Sequence, residues 1–86
     1  MDKTMFHPDR FEIFIDARGF RPDEIKCTVT KHTIEIVAQK EDQCENAQKR
    51  TSLIRQYFLP KNTVPENAQC CLTSEGTLLV TAPWAK

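Results

Sequence analysis

The chain has 86 residues and a formal charge of zero, with 12 basic and 12 acidic side chains. Such a length suffices for one domain that buries roughly 60–65% of its unfolded surface in one modest core. The charge balance speaks against a nucleic-acid or membrane-surface partner held mainly by electrostatics, and it leaves little net repulsion between copies, which favours self-association. No apolar run approaches the ~18 residues of a membrane span and no basic-then-apolar leader opens the chain, so neither a span nor a signal peptide is expected.

Residues 1–9 are polar around Met5 and Phe6 and read as a flexible flank or an added edge strand. From Arg10, Phe11, Ile13 and Ile15 alternate with Glu12, Phe14 and Asp16, the period of two of a β-strand. Gly19 breaks this strand, Pro22-Asp23-Glu24 can make one helical turn, and Phe20 is expected to plug the core. Ile25, Cys27 and Val29 keep step in a second strand, and Ile34, Ile36 and Ala38 in a third.

Gln39 to Ser52 holds almost nothing apolar beyond Cys44 and Ala47. Glu45 and Lys49 stand at helical spacing but have no apolar face to dock, so a solvated loop is expected. Leu53 to Leu59 is again strand-like and closes at Pro60, and Pro60 and Pro65 bracket a polar turn. The last unit is a hairpin: Ala68 to Thr73, then Ser74-Glu75-Gly76, then Leu78, Val80 and Ala82 alternating with Leu79 and Thr81. Gly76 suits a positive φ in that turn. Six or seven short strands without a convincing helix imply an all-β fold, a two-layer antiparallel β-sandwich.

Four segments in order resemble the α-crystallin domain of small heat shock proteins: the strand Phe11–Asp16 followed by Phe20-Arg21-Pro22-Asp23-Glu24-Ile25, then Ile34-Glu35-Ile36, then Arg55-Gln56-Tyr57-Phe58-Leu59-Pro60, then Leu72-Thr73-Ser74-Glu75-Gly76-Thr77-Leu78-Leu79-Val80 with Ala82-Pro83 after it. The resemblance covers residues 10–83 and leaves 84–86 as a stub. It implies an immunoglobulin-like sandwich, dimer formation and ATP-independent holding of unfolding proteins. The chain carries Gln48-Lys49-Arg50-Thr51-Ser52 where the family usually has a glycine and an aromatic residue. The family's long tails and C-terminal I-x-I/V motif are missing around this segment, which therefore reads as an excised core domain.

The resemblance also implies the sites. Ile25, Cys27 and Val29 on one edge strand, and Ala68, Cys70 and Leu72 on another, would flank an apolar groove that takes extended peptides by strand addition. Arg55, with Leu53 and Tyr57 on the same strand, would lie at the dimer interface, Arg55 meeting acids of the partner from the Lys40–Glu45 segment. The expected partners are unfolding client proteins, the chain's own N- and C-terminal tails, and a second copy in a homodimer. The alternative is a CS-type scaffolding module that recognises one folded partner.

The four cysteines, Cys27, Cys44, Cys70 and Cys71, contain no C-x-x-C and are too sparse for a disulfide scaffold. Four free thiols in a reducing, cytoplasmic or nuclear setting are expected. If Cys27 and Cys70 face each other, oxidation would close the groove. His7 and His32 have no ligand-spaced neighbours, and Asp16, His32 and Ser52 lack the elbow of a hydrolytic triad. No metal, cofactor or enzymatic activity is expected.

Overall fold

In the computed structural model, which describes residues 2–86, the chain folds into two antiparallel sheets. The strands are β1 (Lys3–Phe6), β2 (Arg10–Asp16), β3 (Ile25–Val29), β4 (Thr33–Cys44), β5 (Ala47–Phe58), β6 (Gln69–Leu72) and β7 (Thr77–Pro83). One sheet has the order β1-β2-β7-β6, the other β3-β4-β5. The only helical turns among the described residues are 3-10 turns at Pro22–Glu24 and Pro65–Asn67. In the first, Glu24 accepts from the Arg21 backbone N–H at 2.8 Å, so the acid three residues on closes the turn that proline opens.

The period-two segments supply the core. Phe11, Ile13 and Ile15 of β2 pair in register with Ala82, Val80 and Leu78 of β7, and all six are buried. Packed with them from the other sheet are Ile34 and Ile36 of β4, and Ala38 further along β4 is buried too. Directly paired residues share a face, so the register that buries one strand's apolar set buries its neighbour's too. Phe20 lies against this core from the loop between the sheets. At one end Trp84 closes it, its ring 5.8 Å from Phe11 and its indole N–H donating to the His7 carbonyl.

The segment from Gln39 to Ser52 is not a loop. β4 and β5 continue through it in unbroken register, from Gln39 opposite Ser52 to Cys44 opposite Ala47, and turn on Glu45-Asn46. Asn46 supplies the left-handed backbone, φ 62°, that a tight turn needs and that asparagine tolerates. The half-ribbon runs past the end of the other sheet, so both its faces meet water and no apolar alternation marks it. Side chains still pair across it: Arg50 donates to Glu41 at 2.6 Å, and Asp42 stands opposite Lys49.

The β6–β7 hairpin turns on Gly76, φ 87°, as its sequence predicts. Its carbonyl accepts from Ala17 at 2.8 Å, which ties the turn to the end of β2. Arg18 lies across it, held by Asp16, which accepts from Nε at 3.0 Å and from Nη2 at 2.8 Å. That side-chain hydrogen bond, followed by one from the Arg18 backbone, holds the Asp16 carboxyl at about 2, below the usual carboxylate range. A Cβ on residue 76 would stand 2.6 Å from Arg18 Cγ and 3.0 Å from its Cα. Gly76→Ala therefore has to strain the backbone and displace Arg18, and is expected to cost at least about 1 kcal/mol in a chemical denaturation series. An unchanged midpoint would show that the turn relaxes freely.

Candidate functional site

A sandwich of two open sheets has two sides where strand edges are unpaired. Here β3 and β6 border one side, and β1 and β5 the other.

On the first side, β3 presents Ile25, Cys27 and Val29 inward, opposite Ala38, Ile36 and Ile34 of β4. β6 presents Cys70 and Leu72 inward, opposite Val80 and Leu78 of β7, and Ala68 precedes it. Ile25, Val29, Ala68 and Leu72 are half-buried against the core and keep part of their apolar surface in solvent. β3 pairs only with β4, and β6 only with β7, so each strand keeps one row of backbone donors and acceptors without a partner strand. Near Leu72 this border adjoins a surface cleft of 620 Å³ that Phe20, Pro22 and Gly76 also line. The structure thus brings all six groove residues inferred from the sequence to one side of the molecule.

Cys27 and Cys70 are bonded to each other, their Cα atoms 7.0 Å apart. This corrects the expectation of four free thiols: only Cys44 and Cys71 are free, and both are exposed. The strands that carry Cys27 and Cys70 were legible in the sequence, but the separation between two edges of different sheets is a property of the assembled sandwich. The bond joins residues 43 apart in sequence. By the chain-entropy relation, a loop of that length stabilises the fold by ~4 kcal/mol.

On the second side Arg55 and Tyr57 occupy the inner face of β5, opposite Ile36 and Ile34, with Leu53 opposite Ala38. Both polar groups engage one carboxylate from the start of the chain. Arg55 Nε donates to Asp2 Oδ2 at 2.7 Å, and the Tyr57 hydroxyl donates to the same oxygen. Asp2 escaped notice in the sequence because nothing local marks a residue whose only partners lie more than fifty positions away. The outward face of β5 carries Ile54, 62% exposed, and Phe58, 83% exposed. Their spacing of four on an alternating strand puts them on one face, a signal present in the sequence but set apart from the core pattern.

Burial, then the hydrogen bond to Asp2, pushes the Tyr57 hydroxyl up to about 12. The raised value means that stability from this hydroxyl is intact below pH ~10 and is lost as pH climbs from there through about 12, because the unfolded chain releases its proton first. Tyr57 is the only tyrosine, so tyrosinate absorbance reads it directly. The midpoint is expected near 12 in the folded chain and lower in Asp2→Ala. The same midpoint in both would mean that Asp2 does not hold the hydroxyl.

Comparison with known proteins agrees with this geometry. The model of the Hsp20/alpha crystallin family matches residues 3–86. Alpha-crystallin B chain of Squalus acanthias is 32% identical over 76 residues, which is 87% of this chain and 43% of that protein. Among solved structures, the rat alpha crystallin domain superposes with a TM-score of 0.81 at 28% identity, over 100% of this chain and 91% of the other. Stress-induced protein 1 from Caenorhabditis elegans superposes at 0.87 with 24% identity, over 95% and 84%, a likeness of fold. The chain spans less than half the length of the alpha-crystallin B chains it matches.

Proposed function

The chain belongs to the Hsp20/alpha crystallin family, and on that premise we propose that it is the client-binding core of an ATP-independent chaperone, a small heat shock protein that holds unfolding proteins and associates with copies of itself. The observation that carries this reading is the β3–β6 side, where two strand edges with free backbone groups flank the apolar side chains of Ile25, Val29, Ala68 and Leu72. An extended stretch of an unfolding protein offers what such an edge lacks. Its backbone continues a sheet, and every second side chain points into the space between the two sheets. Because the backbone supplies the hydrogen bonds, many sequences fit as long as apolar residues recur at alternate positions. Terminal segments of the full-length protein with that spacing would compete for the same edge. The step is passive, since binding at an edge needs no bond to be made or broken.

Self-association draws on the other side. The free edge of β5 and its exposed Ile54 and Phe58 suit a second copy, and Arg55 there already binds a carboxylate. The partner's acids would compete with Asp2 for it. Those acids would come from a paired ribbon, not from the loop inferred at Lys40–Glu45.

The test is suppression of light scattering from a heat-labile enzyme without disulfides, with the chaperone chain kept reduced. Val29→Lys, which places a charge on the groove lip, is expected to lower suppression about tenfold or more, since an apolar contact of this size is worth roughly 1.5–3 kcal/mol. Thr28→Lys puts the same charge on the outward face of the same strand and is expected to leave suppression unchanged. Equal loss in both variants, or tight binding of a single folded partner with no suppression, would refute the reading.

A further inference from the structure

The disulfide stands at the working edge and not in the core, and this placement has a consequence for binding. Cys27 and Cys70 are the middle members of the two inward-facing rows, Ile25-Cys27-Val29 and Ala68-Cys70-Leu72. Stacked sheets ordinarily stand ~10 Å apart, room for one layer of side chains. Between these two edges the Cα atoms are 7.0 Å apart, and the two sulfurs fill the gap. A side chain entering between Cys27 and Cys70, at the middle of both rows, would have to pass through the bond. Cys70 is itself an exposed residue on an edge strand.

We propose that Cys27 and Cys70 form a redox latch on the groove: the disulfide shuts it to extended peptides, and reduction opens it. The inference deepens the chaperone reading and rests on it. Closing the latch removes two electrons and two protons from the pair, and the oxidant is a low-molecular-weight disulfide of the glutathione class. The thiolate of one cysteine attacks that disulfide, forms a mixed disulfide and expels one small thiol. The second protein thiolate then attacks the bound sulfur, forms the Cys27–Cys70 bond and expels the other. One small disulfide and two protein thiols give one protein disulfide and two small thiols. The reverse exchange, with excess small thiol, opens the groove. Reduction leaves the sheets in place, because the buried residues of β2, β4 and β7 hold them together without either sulfur.

Cys44, at the tip of the β4–β5 ribbon, and Cys71, on the outward face of β6, lie outside the latch. A Cys44→Ser/Cys71→Ser chain therefore isolates the pair. Its two redox forms are compared for binding of a fluorescent short peptide with isoleucine at alternate positions, by anisotropy, and thiols are counted by alkylation and mass spectrometry. The reduced form is expected to bind at least about tenfold more tightly than the oxidised form. Adding Cys70→Ala, which removes the bond, is expected to abolish the difference between oxidising and reducing conditions. Equal binding by both redox forms would overturn the latch while leaving the groove as the client site. Absence of binding in every form, the Cys70→Ala chain included, would overturn the groove and the latch together. Four alkylated thiols in the wild-type chain after exposure to oxidised glutathione would also overturn the latch.

Discussion

The structure depends on the contact between the inner faces of two sheets of unequal size. Three strands, β2, β4 and β7, supply nine of its ten buried apolar members, with Ala17 just past β2 as the tenth, and in each strand the buried residues stand at every second position. Because the side-chain period in a strand is two, one register satisfies all of them at once, and a slip by a single residue would turn every apolar side chain to solvent. Burial of ten nearly inaccessible apolar side chains is what holds a chain of this length folded. The central strands are fixed by this contact. The outer strands, β1, β3, β5 and β6, are held on one flank only and remain available.

The two open sides are closed by different chemistry. Between β3 and β6 the bridge is covalent, from Cys27 to Cys70. Toward β5 it is ionic and hydrogen-bonded, from Asp2 to Arg55 and Tyr57. An ion pair that keeps part of its surface in solvent yields to a competing carboxylate, whereas a disulfide yields only to thiol exchange. One side is thus suited to reversible pairing between copies, and the other to control by the redox state of the solution. The long β4–β5 ribbon projects beyond the sandwich, which explains the elongated 55 × 23 × 19 Å shape of so short a chain.

The sequence announced those strands whose two faces meet different surroundings. Phe11 to Ile15 and Leu78 to Ala82 are read at once because fully buried residues stand at every second position and those between them are only half-buried. The same logic failed from Gln39 to Ser52, where both faces are wet and alternation has nothing to report. The order of charges did carry a signal there: Lys40-Glu41-Asp42 meets Lys49-Arg50-Thr51 in reverse about Asn46, so acids fall opposite bases. The groove strands were legible, since Ile25, Cys27 and Val29 keep the same step as the core. What joins them was not, because Cys27 and Cys70 are neighbours only through the stacking of two sheets. Asp2 is a similar case, a lone acid in a polar terminus whose partners are set by where β1 pairs with β2.

If the β3–β6 side is where unfolding proteins dock, their arrival has to be felt by the backbone of those two strands. Hydrogen exchange of the reduced chain, read by mass spectrometry with and without a heat-unfolded client, measures this directly. The account predicts slower exchange at amides of Ile25–Val29 and Gln69–Leu72, with the already paired strands β2 and β7 unchanged. Slowing confined to β5, or none at β3 and β6 while the client is held in solution, would contradict it.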